Sequence, residues 1–302
     1  EYVLTEMPED EIRKLRGSEI ARIFQEPKAA LNPVYTVGDQ VSEAILIHRL
    51  DEMKLKAMKS LESGGILNEL KRKVIERSLT SENNILVRFV KRAPILRRLY
   101  WGPIKAEAKK EVVKLLSLMG IPDPERVYEM YPHELSGGMQ QRIVIAIALS
   151  CNPKVLIADE PTTNLDVTVE AQILELMKEL KERFGSTLIY ITHDMGVIAE
   201  MSQRVAVMYA GNIVEIGDVY SVFKEPLHPY TKGLLESIPL PGRPLKDIPG
   251  AVPNLVNPPP GCRFHPRCSR AMERCSTDKP KLVEVRPGRW VACFLYHSEG
   301  VR

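Results

Sequence analysis

Apolar and polar positions fall into four regimes along the chain, each with its own period. The opening reads as a strand over Tyr2–Leu4, a short helix, and a second strand over Ile20–Phe24 that Gln25-Glu26-Pro27 breaks. Pro8 sits in the first turn of that helix with Glu9, Asp10 and Glu11, residues that suit a helix N-terminus. Residues 40–134 carry helical periodicity with few β-branched runs, and breaks are expected at Gly64-Gly65, Pro94 and Pro103. From 136 to 217 helices alternate with short apolar strands: helix Met139–Leu149, strand Val155–Ala158, helix Val167–Phe184, strand Thr187–Thr192, helix Met195–Met201, then two strands around Ala210-Gly211-Asn212. Such strands predict a parallel sheet covered on both faces, with ligands at the carboxyl ends of its strands. Beyond residue 219 a helix around His228–Ile238 is followed by a Pro-rich run to Cys262 that cannot hold a regular helix, so 219–302 reads as a separate small appendage. A strand at residue 2 with nothing before it looks like a sheet entered in the middle, and the expectation is a chain missing its beginning.

Composition narrows the class. The chain has 302 residues, 44% hydrophobic and 27% charged, ordinary for a globular protein able to bury a sizeable core. Lys plus Arg is 42 against 39 acids, a formal charge of +3, which disfavours a strongly basic nucleic-acid binder. The charge is uneven: residues 51–110 hold 9 Lys and 6 Arg against 7 acids, a net of +8, leaving −5 for the rest. Inside that region the mixed stretch Val87–Trp101 suits either a membrane-surface or partner-docking helix pair or a solvated helical hairpin. The longest purely apolar run, Ile143–Leu149, is far too short to span a bilayer, and the first ten residues lack the apolar core of a signal peptide.

Four places carry candidate chemistry. The strand Val155–Ala158 delivers Asp159 and Glu160 to its carboxyl end. Neighbouring strand residues point different ways, so one carboxylate can serve a Mg²⁺ shell while the other polarises a water. Ser136-Gly137-Gly138 opens a helix, and its backbone N–H groups suit either an anion or a plain Ser136 N-cap. His193 follows a strand, where it can touch a γ-phosphate or be a satisfied strand-end histidine. Gln25 ends another strand and can join a metal shell or simply face water.

Taken together, Gln25, Leu135-Ser136-Gly137-Gly138-Met139, Val155-Leu156-Ile157-Ala158-Asp159-Glu160, Asn164-Leu165-Asp166 and His193 occur in the order of the Q-loop, signature, Walker B, D-loop and switch histidine of one family. The chain resembles the ATP-binding subunit of an ABC transporter over nearly its whole length. The resemblance implies an α/β, P-loop NTPase-like (RecA-like) ATPase core with a helical subdomain and a small Cys-containing C-terminal appendage. It divides the chain into core residues 1–40, a helical subdomain with a basic insertion at 41–142, core residues 143–218 and the appendage 219–302. It also implies ATP and Mg²⁺ as cofactors, with Asp159 and Gln25 holding the metal, Glu160 as catalytic base, and His193 holding the γ-phosphate and water in line. Ser136, Gly137 and Gly138 would reach the ATP of a partner subunit, and Asp166 would link the two sites.

One departure stands against these matches. The family's phosphate loop, Gly-x-x-x-x-Gly-Lys-Ser/Thr, is absent, and the sequence holds no Gly-Lys pair. The expectation is that this loop lies before residue 1 and that the chain alone is inactive. The tail, with His228-Pro229-Tyr230-Thr231 and Gly261-Cys262 to Cys268, resembles the oligopeptide/dipeptide importer ATPases. That likeness implies import of oligopeptides or dipeptides, with oligosaccharides or nickel as alternatives. It implies two transmembrane permease subunits, an extracellular substrate-binding protein acting indirectly, and a position on the cytoplasmic face of the membrane. Met139 in place of the usual Gln points to one of two unlike ATPase subunits, a heterodimer. Cys262, Cys268, Cys275 and Cys293 are separated by five, six and seventeen residues without a C-x-x-C. A [4Fe–4S] cluster is the favoured reading, with zinc aided by His265 or His297, or plain thiols or disulfides, as alternatives. Cys151 reads as an inert buried thiol. Competing classes are a soluble ABC-type ATPase acting on nucleic acid, which should show a second cassette or sustained heptads, and an iron–sulfur redox module with a vestigial ATPase.

Overall fold

The computed structural model describes residues 3–62, 65–80, 94–163, 165–239 and 246–297. The chain divides into two compact units, Glu1–Ile191 and Thr192–Arg302.

The first unit opens with a short 3₁₀ turn at Leu4–Glu6 and the helix α1 (Glu9–Leu15). The strand expected at Tyr2–Leu4 is not formed over its described residues. Sheet pairing begins only at β1 (Ile20–Ile23), and Leu4 has no strand partner. After α2 (Pro27–Ala30) come α3 (Val37–His48), α4 (Leu50–Ser60), α5 (Ile66–Thr80) and α6 (Pro94–Leu118). The basic residues 87–93 lie outside the described residues. The break expected at Pro103 does not occur: α6 runs through it. Buried Tyr100, Ile104, Ala108, Val112 and Leu115 recur at helical spacing along α6, which packs against α3 and α4. That burial outweighs the backbone bond the proline removes. Then α7 (Pro124–Glu129) leads to α8 (Gly137–Leu149), β2 (Val155–Asp159), α9 (Val167–Phe184) and β3 (Thr187–Ile191).

The strands form a parallel sheet in the order β1-β2-β3, with Ile23 opposite Ala158 and Asp159 opposite Ile191. Side chains alternate between its faces. Ala21, Ile23, Leu156 and Ala158 are buried on one face. On the other, Ile189 is 48% and Ile191 47% exposed, and Arg22 and Phe24 are exposed as well. The expectation of two covered faces is therefore met on one face only. Within the described residues of the first unit this second face stays largely exposed, and β3 is an edge strand of the sheet.

The second unit begins near α10 (Met195–Met201), capped by Asp194. Its antiparallel sheet runs β4-β5-β7-β6, built from β4 (Arg204–Tyr209), β5 (Asn212–Asp218), β6 (Val283–Arg286) and β7 (Arg289–Val291). Ala210 and Gly211 both have positive φ, 48° and 78°, the pair of left-handed residues that a tight hairpin wants. β5 pairs with β7 through Glu215↔Val291 and Ile216↔Trp290, so the hairpin shares its sheet with the tail, although chain order alone grouped it with 143–218. Short helices α11 (Val219–Lys224), α12 (Pro229–Glu236) and α13 (Arg274–Thr277) complete the unit. Val205, Val207, Tyr209, Val214, Val222 and Phe264 form its core. Beside that core Glu215, fully buried, accepts from Arg289 Nη2 at 2.7 Å and from the backbone N–H groups of Leu227 and His228 at 2.9 Å each.

Candidate functional site

The carboxyl end of the parallel sheet gathers three of the sequence-predicted residues. Asp159 is the last residue of β2 and Glu160 the first beyond it. Glu160 takes φ +43°, a left-handed backbone rare for a side chain of its size, while its N–H still donates to Ile191 O at 2.9 Å. Strain of this kind costs on the order of 1–3 kcal/mol and concentrates at functional sites. It also turns the two carboxylates to different partners. Gln25 Nε2 donates to Glu160 Oε2 at 2.7 Å, and Thr163 Oγ1 donates to the same oxygen at 3.1 Å. Arg22 Nη2 reaches Asp159 Oδ2 at 2.5 Å.

Sequence reasoning missed Arg22. The signal was available: it is the one charged residue inside the apolar strand Ile20–Phe24, two positions from Phe24, over whose ring its guanidinium lies at 4.9 Å. Thr163 was missed too, because nothing in its neighbours marks it.

These residues suit Mg²⁺. The ion prefers one or two carboxylates together with phosphates and retained waters. Asp159 is half-buried at the strand end, and Gln25, donating through its nitrogen, keeps its carbonyl oxygen without a hydrogen bond among the described residues.

The signature residues form a helix start. Ser136 Oγ accepts from Met139 N at 3.3 Å, the N-cap of α8, and both Ser136 and Gly137 are exposed. A side chain at Gly138 would put its Cβ 2.8 Å from Val169 Cγ1, so the second glycine lets the start of α8 approach the start of α9. Asp166 caps α9, accepting from Val169 N at 3.0 Å, and Asn164 lies outside the described residues. Thus Ser136, Gly138 and Asp166 each have a structural task within one chain, while Ser136, Gly137 and Asp166 remain accessible at the surface.

His193 belongs to the second unit, two residues beyond the end of β3, and is exposed. Its neighbour Asp194 accepts from Gly196 N at 2.7 Å and Val197 N at 3.3 Å. The structure thus brings Gln25, Asp159 and Glu160 together within the first unit, and Ser136–Gly138 beside the helix that Asp166 caps.

The four tail cysteines are free thiols, as is Cys151. Burial raises the pKa of Cys262, Cys268 and Cys293, the last to about 11. Cys293 is also raised by the nearness of Cys262, Cys268 and Cys275, so the four thiols share one neighbourhood. The donor chemistry suits iron–sulfur, but the placement does not. Among the described residues no three His, Cys, Asp or Glu are grouped to hold a metal, and the [4Fe–4S] expectation gains no support from the geometry. Cys151 is half-buried, its Sγ donating to Ala44 O at 3.5 Å, and burial raises its pKa.

Comparison with known proteins gives a consistent picture. The profile described as "ABC transporter" matches residues 3–163, and that described as "Oligopeptide/dipeptide transporter, C-terminal region" matches 214–275. The chain is 45% identical over 300 residues to the oligopeptide transport ATP-binding protein AppD of Bacillus subtilis (strain 168), covering 98% of this chain and 76% of that protein. It is 43% identical to the dipeptide transport ATP-binding protein DppD of the same organism, over 97% of this chain and 72% of that protein. Against the oligopeptide transport ATP-binding protein OppD of Escherichia coli (strain K12) the identity is 41%, over 95% of this chain and 71% of that protein. With its carboxylate pair, its signature helix and these relatives in agreement, the chain belongs to the ATP-binding proteins of the ABC transporter family.

Proposed function

We propose that this chain is the ATP-hydrolysing subunit of a transporter that imports oligopeptides or dipeptides. The observation that carries the reading is the arrangement at the carboxyl end of the parallel sheet, where Gln25 holds Glu160 while Asp159 faces a different partner. In this reading Asp159, released from Arg22, and the Gln25 carbonyl hold Mg²⁺, which neutralises phosphate charge. Glu160, oriented by Gln25 and Thr163, accepts a proton from the attacking water. His193 orients that water and the γ-phosphate. The exposed start of α8, with Ser136, Gly137 and Gly138, meets the nucleotide of a second ATPase subunit, and Asp166 sits between the sites. A heterodimer, two permeases and a substrate-binding protein complete the assembly. No helix among the described residues is long and apolar enough to cross a membrane.

The exposed apolar residues beside β3, Ile189 and Ile191, leave room on that face for a phosphate-binding Gly-Lys-Ser/Thr loop, which this sequence does not hold, near Asp159.

The test is Glu160→Gln in the assembled transporter. ATP should still bind, while hydrolysis and uptake of a labelled dipeptide fall by roughly a hundredfold or more. Unchanged turnover would remove Glu160 as the base, and transport of nickel or an oligosaccharide instead would reassign the cargo. For the tail, the [4Fe–4S] reading rests on the donor chemistry of Cys262, Cys268, Cys275 and Cys293 alone. Iron and sulfide in equal amounts in anaerobically purified protein would support it, and their absence would reject it.

A further inference from the structure

A cavity of about 740 Å³ opens within the second unit, between the β4–β5 hairpin and the segment that precedes β6. Its apolar lining includes Met208, Ile213, Leu282 and Phe264. Met208 is 58% exposed, Ile213 39% and Leu282 36%, so three sizeable apolar side chains face this space rather than the core. Around them stand three cations, Arg263, Lys279 and Lys281, and the lining includes no carboxylate. Arg263 is fixed by donating to Ala210 O at the hairpin turn. The ammonium groups of Lys279 and Lys281 have neither an ion-pair nor a hydrogen-bond partner among the described residues.

Ligand cavities of small molecules run from about 300 to 1,000 Å³, mostly apolar with a few placed polar groups. This one fits that description and adds a single sign of charge. A neutral apolar ligand would leave three cations beside a desolvated surface, and a bare inorganic anion would leave the apolar lining uncovered. Neither half alone matches the site.

We propose that this cavity binds a small amphipathic anion, a carboxylate or phosphate head on an apolar body, with the head at Lys279, Lys281 and Arg263 and the body along Met208, Ile213 and Leu282. Cys262 also lines the cavity, but the proposal uses neither its thiol nor the nucleotide residues, so it stands or falls independently of the transport reading.

Titration calorimetry on the full chain tests it with three probes: octanoate, inorganic phosphate and octanol. Octanoate should bind saturably, with phosphate and octanol each at least about tenfold weaker. The double variant Lys279→Gln/Lys281→Gln changes only exposed side chains and should weaken octanoate by about tenfold or more, as should added salt. Ile213→Asn, on the opposite wall, should weaken octanoate and leave the salt dependence in place. The proposal is overturned if octanoate fails to bind the parent chain, if it binds the double variant equally well, or if phosphate or octanol binds as tightly.

Discussion

Replacing His228 should change how the second unit responds to acid. His228 is 1% exposed and packs at 5.8 Å from Phe264. Its Nδ1 accepts from Tyr230 N at 3.1 Å, the N-cap of α12, and its own N–H donates to buried Glu215. The ring must therefore stay neutral with Nδ1 unprotonated. Burial lowers its pKa from 6.5 to about 4. Above pH 6.5 the ring is neutral in both folded and unfolded chains and adds no pH dependence. Between 6.5 and about 4 the unfolded chain takes up a proton that the folded chain refuses. Stability then falls by up to about 1.4 kcal/mol per pH unit, roughly 3 kcal/mol across the window. His228→Asn keeps a capping acceptor and removes the titration. Urea unfolding of both proteins, followed at Trp290 in a Trp101→Phe background from pH 7.5 to 4.5, gives the two profiles. The difference between them should grow as pH drops, with the parent falling more steeply by roughly 2–3 kcal/mol. Parallel profiles would refute the argument, whatever their absolute level.

Two further outcomes follow from packing. Gly138→Ala places a methyl 2.8 Å from Val169 Cγ1 and should lower stability by about 1–3 kcal/mol in thermal unfolding, with much of the loss recovered by adding Val169→Ala. Glu215→Gln leaves Arg289, 5% exposed, without its counter-charge, and should cost about 3–5 kcal/mol in chemical denaturation of the second unit, against less for the paired change Glu215→Leu/Arg289→Met.

Much of the candidate site was legible because its residues sit on strong local patterns. The apolar run Val155–Ala158 ends in two acids, and the structure extends that strand by one residue to Asp159. Helix Val167–Phe184 lies where its periodicity places it, and the structure shows what fixes its ends: Asp166 caps it and Gly185 closes it in the left-handed region. What failed depended on distant neighbours. Leu4 looks like a strand residue by composition, yet a strand needs a partner and none pairs with it. Pro103 looks like a stop, yet the buried stripe from Tyr100 to Leu115 carries the helix across it. Arg22 became part of the site only when parallel pairing brought β1 beside β2, a register no single-chain period encodes. The histidine of His228-Pro229-Tyr230 was noticed as a pattern, but its task, neutral under Phe264 and capping α12, needed three-dimensional partners.

The bare strand β3 has a practical consequence. Its backbone donors and acceptors on the outer side, flanked by isoleucines that water touches, form a template onto which any free extended segment can add. Solutions of the chain should therefore self-associate more readily as concentration rises, and a peptide that supplies one more strand along that side should keep them dispersed.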